Sequence, residues 1–204
     1  MIRNTAVTVC GPLNVNKLGV TYVHEHLMVK PQLPDEYYIP YTLDDEAAST
    51  EETRSFSAAG GETLVEMTPI NYGRNVKAYQ RIAQATGVHV ICCTGFHKQL
   101  FMPPWFGDKT DGELYDILMD EVTNGLDGTE IHPGVIKLGT SFEEVTAAEK
   151  RSIEAVARVH RDTGIPISTH CDKGTMGMDQ LRLLEKHGVD PKNVLLCHID
   201  SKMD

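Results

Sequence analysis

The sequence predicts an α/β protein with a parallel β/α array, closer to a (β/α)8 TIM barrel than to an open doubly wound sheet and truncated after its sixth strand. Three observations predict it. Short β-branched runs alternate with amphipathic helical stretches along the chain. No Gly-x-Gly-x-x-Gly follows a strand, as a dinucleotide-binding sheet would require. The polar residues with interesting chemistry sit at the C-terminal ends of different strands, which is where barrels keep their sites.

The strands are read at residues 20–26, 63–68, 88–94, 134–139, 165–170 and 194–199, each a run bounded by Gly, Pro or polar residues. Helices fill the gaps. Residues 42–59 form a polar helix. Residues 73–86 place Val76, Tyr79, Ile82 and Ala83 on one stripe, and 112–125 do the same with Leu114, Ile117, Leu118 and Val122. Thr146 and Glu149 have capping-box spacing ahead of Ile153, Val156, Ala157 and His160, and Gly164 closes that helix. A last helix, 178–187, stops at Gly188. The spacing approaches one βα unit of about 30 residues. The chain reads as one domain, 1–204, lacking strands seven and eight.

Composition narrows the function. The 204 residues are 41% hydrophobic and 24% charged, ordinary for a globular protein. The net charge of −10 repels phosphate backbones, so nucleic acid is not an expected partner. No apolar run approaches the roughly 20 residues of a membrane span, and the N-terminus lacks a signal-peptide stretch. Five cysteines without a Cys-x-x-Cys pair point to reduced thiols and a cytoplasmic protein.

His24-Glu25-His26 ends the first strand. Positions i and i+2 of a strand share a face, so the two imidazoles point together and Glu25 points away. Imidazole is the commonest metal ligand and suits zinc. The plainer reading is two polar residues at a strand end. His170 and His198 each end an apolar strand. One such histidine is more often a satisfied core residue. Two of them on consecutive strands, in register with a His-x-His strand, point to a metal centre. Alternation turns Cys171 and Cys197 away, as packing residues. Lys137 lies within the apolar run Val135-Ile136-Lys137-Leu138-Gly139. It either snorkels to solvent or faces inward. Beside two dications its ammonium would be repelled, and a free amine can take up carbon dioxide to form an anionic two-oxygen carbamate.

These residues resemble the phosphotriesterase-related family of the amidohydrolase superfamily, which includes phosphotriesterase-like lactonases. The matching segments are the Gly11-Pro12 turn, His24-Glu-His-Leu27, Glu66-Met-Thr-Pro69, Gly73-Arg74, Thr94-Gly-Phe96, Ile136-Lys137, Ser168-Thr-His170 and Leu196-Cys-His198, in family order from end to end. The resemblance implies a binuclear zinc-dependent hydrolase of ester-like bonds: a lactone, a phosphorylated sugar lactone or a phosphotriester. It implies that His24 and His26 bind the more buried of two divalent ions, Zn2+ first among candidates. His170 and His198 bind the more exposed ion, and Lys137, as a carbamate, bridges both and is the catalytic group. A water or hydroxide between the ions is the nucleophile, and the partner is a small-molecule substrate. The sequence allows a homodimer.

The sequence departs from the family at several places. His97 stands where lactonase relatives carry a tyrosine beside the substrate, and reads as a substrate contact. Lys98 reads as an exposed lysine, with attraction of an anionic substrate as the second reading. Asn75 replaces an aspartate after Gly-Arg. The apolar loop Phe101-Met-Pro-Pro-Trp-Phe106 is expected to pack near the site. A barrel of this type takes about 250 residues, and the strand-eight aspartate of relatives has no counterpart before Asp204. Six strands leave two free edges, exposing Val23 and Leu195, and this length is expected to be inactive. The competing reading is a non-catalytic metal-binding or partner-binding remnant.

Overall fold

Alternation of β-branched runs with helical stripes produces strands and helices in the expected order. The computed structural model describes residues 4–33 and 42–202. The chain divides into two compact units, one of Met1–Thr68, Tyr72–Cys93 and Glu121–Gly134, the other of Pro69–Asn71, Thr94–Asp120 and Val135–Asp204.

The first unit begins with an antiparallel hairpin, β1 (Thr5–Thr8) and β2 (Gly11–Asn14), with Thr8 opposite Gly11. Only its Gly-Pro turn was legible in the sequence. Then come β3 (Thr21–Glu25), α1 (Glu46–Ala58), β4 (Thr63–Glu66), α2 (Val76–Thr86) and β5 (His89–Gly95), whose last two residues belong to the second unit. β3, β4 and β5 pair in parallel and in sequence order. The predicted stripe of α2 is buried, with Val76, Tyr79, Ile82 and Ala83 packed in one cluster with Leu64, Val90 and Leu126. Asn75 resolves the departure after Gly-Arg, because its side chain accepts the Ala78 N–H and caps α2. Arg74 is buried to 4% exposure and donates to Glu121, Asp127 and the Cys93 carbonyl. The Gly-Arg motif thus ties the start of α2 to a later segment of the same unit.

The second unit takes α3 (Asp111–Asn124) through Asp120, and contains β6 (Val135–Thr140), α4 (Ala147–Thr163), β7 (Ile167–Cys171), α5 (Gly177–Lys186) and β8 (Val194–Leu195). β6, β7 and β8 are parallel and in sequence order. The capping box of Thr146 and Glu149 is present, and Gly164 closes α4 in the left-handed region. Glu149 is fully buried and does more than cap, accepting the Gln99 N–H at 3.0 Å and the Ser141 hydroxyl at 2.6 Å. One carboxylate therefore fastens the loops after β5 and β6 to the start of α4. The apolar loop is also folded in, with Phe101 and Phe106 buried and Phe106 edge-on to Phe96 at 5.0 Å.

Of the boundaries that differ from expectation, two lie beside candidate ligands. The first strand ends at Glu25, leaving His26 just beyond it. The last strand stops at Leu195 instead of 199, and at His198 the backbone turns into the left-handed region (φ 64°) with a short 3-10 turn following. Val23 and Leu195 are 48% and 42% exposed, as expected of side chains on strands with one partner.

Candidate functional site

In the first unit, β3 carries one more residue than β4 between its pairings Tyr22↔Leu64 and Glu25↔Glu66 (25 − 22 = 3 against 66 − 64 = 2). The irregularity falls on Val23 and His24. A bulge of this kind re-aims a side chain, so strict alternation alone does not place the histidine pair. The two rings still meet, 5.5 Å apart at 64°. The Thr68 hydroxyl lies 2.8 Å from His26 Nδ1, and the His26 ring is edge-on to Tyr72 at 5.8 Å. Glu66, fully buried, lies 4.0 Å from the same nitrogen. Burial pushes its carboxyl up to about 7, against the hydrogen bonds from Thr68, Leu27 and Tyr79 that lower it.

In the second unit, β6 is buried along its whole length, and Lys137 with it at 0% exposure. The snorkelling alternative is thereby excluded. The β6–β7 register sets Lys137 beside Ser168 and Gly139 beside His170. The His170 ring lies 4.5 Å from that of His97 and 4.8 Å from that of His198, so three imidazoles stand in a row. Burial lowers the His198 pKa first, and the charge of Lys137 lowers it further, against Asp200 and Asp172. Lysine and histidine are thus electrostatic neighbours. The left-handed backbone of His198 costs about 1–2 kcal/mol, held in part by the Cys171 N–H to Cys197 carbonyl bond at 3.3 Å. Cys171 and Cys197 are both buried, consistent with packing roles.

His97 is 3% exposed, and its Nδ1 accepts the N–H of Lys98 at 2.7 Å. A backbone N–H can only donate, so the neutral ring carries its proton on Nε2 and is a donor there. Lys98 is not the exposed lysine expected. It is 18% exposed, pairs with Asp172 at 2.5 Å, and lies 5.7 Å from the Phe101 ring centre. Burying its stem against the apolar loop and pairing its charge are favourable together. Asp172, 3.9 Å from His170 Nε2, escaped the sequence reading. Its signal was the His-x-Asp spacing after the strand. Glu66 and Thr68 entered that reading only as parts of a motif.

Among the described residues, no group of three or more His, Cys, Asp or Glu side chains is arranged to hold a metal ion. The donors come instead as pairs, His24 with His26 and His170 with His198, plus a buried lysine. A pair of nitrogens leaves zinc short of its usual four ligands. The donor set fits metal if Lys137 supplies anionic oxygens, which an unmodified ammonium cannot.

Parallel strands in sequence order, helices between them, histidines at or near their C-terminal ends and a lysine buried within one of them define the (β/α)8 barrel class, here through its sixth strand. Within that class the chain belongs to the Phosphotriesterase family, whose sequence model matches residues 4–204. It is 35% identical over 191 residues to the phosphotriesterase homology protein of Escherichia coli K12, covering 93% of this chain and 65% of that protein. It is 31% identical over 220 residues to the phospho-furanose lactonase of Mycoplasmopsis synoviae, covering 100% of this chain and 62% of that protein. The crystal structure of a lactonase from Listeria monocytogenes matches with a TM-score of 0.92 at 30% identity, over 98% of this chain and 67% of that one. The chain thus spans under two thirds of the length of these two curated relatives. No helix among the described residues is long and apolar enough to cross a membrane.

Proposed function

We propose that this chain carries the metal-ligating part of a hydrolase that acts on ester-like bonds, with lactones, including phosphorylated sugar lactones, ahead of phosphotriesters. The observation that carries the reading is the fully buried Lys137, on a strand paired with that of His170, whose ring in turn abuts His198. The lactonase names of relatives support the substrate class. His24 and His26 hold one divalent ion, zinc first, and His170 and His198 hold a second. Lys137 would be carboxylated: its free amine would form a C–N bond to carbon dioxide, one C=O becoming C–O⁻ and a proton passing to solvent, and the carbamate would supply the anionic oxygens that a metal needs beside imidazole. When bound, such a pair supplies Lewis acidity toward a carbonyl or phosphoryl oxygen and lowers the pKa of water toward about 7. His97 donates its Nε2–H to a substrate oxygen. Lys98 is already neutralised by Asp172, so it is not assigned the capture of an anionic group.

The test is metal analysis and a lactone panel on the protein in its native length, reconstituted with zinc and bicarbonate. The expected result is close to two ions per chain, lost when His24 and His26 are replaced by Ala, together with lactone turnover. A metal content near zero sinks the site, and metal without turnover favours the non-catalytic remnant. His97→Phe should keep metal content and lower kcat/KM by about tenfold, the worth of one hydrogen bond of roughly 1.4 kcal/mol. Unchanged kcat/KM would remove His97 from the substrate contacts.

A further inference from the structure

The Thr68 hydroxyl stands at the centre of three contacts. Its Oγ lies 2.8 Å from His26 Nδ1, 2.5 Å from Glu66 Oε1 and 3.0 Å from the Met28 carbonyl oxygen. A hydroxyl has one proton to give and two lone pairs to receive with. If Glu66 is ionised, the Thr68 proton goes to its carboxylate, and the His26 contact is made only if His26 donates. If Glu66 is protonated, it donates to Thr68. Where the Thr68 proton then goes to the Met28 carbonyl, which can only accept, His26 again donates. With the Thr68 proton given to either of these acceptors, the proton of the neutral imidazole sits on Nδ1 and Nε2 keeps its lone pair.

Glu66 is held to this task from its other side. Its Oε1 accepts the Leu27 N–H at 3.2 Å and its Oε2 accepts the Thr68 N–H at 3.1 Å. The carboxyl is therefore clamped between the backbone just after His26 and the backbone of Thr68. The bulge in β3 interrupts the regular pairing at Val23 and His24, and the ladder resumes at Glu25↔Glu66. The clamp takes over where strand pairing ends.

We infer that Glu66 and Thr68 are positioning residues that hold His26 in its Nδ1–H form, so that its Nε2 lone pair can serve a metal ion. This rests on the metal reading above and extends it from the ligand to the pair behind it. Histidine ligands commonly donate their second nitrogen to such a partner, and loss of that partner weakens metal binding by about 10–100-fold.

The experiment reads the tautomer of His26 in metal-free, nitrogen-15-labelled protein by long-range proton–nitrogen correlation, with His26→Asn identifying the signal. Zinc titration follows on the same samples. Wild type and Thr68→Ser should both show Nδ1–H. Thr68→Val, which keeps the shape and removes the hydroxyl, should shift His26 toward Nε2–H and weaken zinc binding by about 10–100-fold. Restoration by serine separates a hydrogen-bond role from a packing role. Nε2–H in the wild type, or an unchanged tautomer and zinc affinity in Thr68→Val, overturns the inference. If Thr68→Val does not fold, wild type against Thr68→Ser and Glu66→Gln still decides. Absence of zinc uptake by the wild type would overturn the metal reading, while the metal-free tautomer stands or falls separately.

Discussion

Replacing Lys137 by Ala is expected to remove both the metal pair and the hydrolytic activity, with a fall in turnover of roughly three orders of magnitude or more. The side chain is fully buried in a strand buried along its length. On the carbamate reading proposed above, its loss takes away the group on that strand that would supply anionic oxygens to metal. Zinc content should drop from about two ions per chain toward zero. Bicarbonate should speed reconstitution of the wild type and do nothing for the variant. A short carboxylic acid such as acetate or propionate should restore part of the metal content of Lys137→Ala by occupying the vacated volume. A variant that keeps two ions and near-normal turnover would show that Lys137 is a packing residue with no role at the metals.

Gly95→Ala should be the most damaging small substitution near the site. Gly95 ends β5 with φ at +114°, a region L-residues rarely adopt, and a Cβ there would overlap the carbonyl of Lys137. That carbonyl also accepts the Phe96 N–H at 3.2 Å, so the end of β5 is bonded directly to β6 at the lysine. Either the chain turns unfavourably at Gly95 or β6 moves away, taking Lys137 with it. The expected cost is about 3 kcal/mol, combining a strained backbone with a displaced buried strand. It is measured as a lower urea midpoint with an unchanged slope, accompanied by weaker zinc binding. Wild-type stability and metal affinity in Gly95→Ala would mean that the close approach relaxes at little cost.

Period and punctuation settled most of the architecture before any coordinates. The stripe Val76, Tyr79, Ile82, Ala83 is buried as its spacing requires, and the Thr146–Glu149 box starts α4 as read. These are local properties. A helix face, a cap and a strand run depend on neighbours a few residues away, and the sequence writes them directly. The sequence left Lys137 between snorkelling and an inward course, and its complete burial decided for the second.

What the tertiary structure decided is the set of contacts made across long stretches of chain. Lys98 looked exposed because its partner, Asp172, lies 74 positions away. The role of Glu66 and Thr68 behind His26 depends on parallel pairing of two strands and on a bulge that shifts their register. The last strand ended at Leu195 and the backbone turned left-handed at His198, although β-propensity carried the reading on to 199. Which nitrogen of His97 bears a proton was settled by one backbone N–H. The sequence by itself determined which residues could be ligands and on which strand ends they stand. Their protonation, their partners and the exact turn of the backbone beneath them came from packing, because hydrogen bonds and ion pairs in a buried site are fixed by what the fold brings within about 3 Å, not by what lies next along the chain.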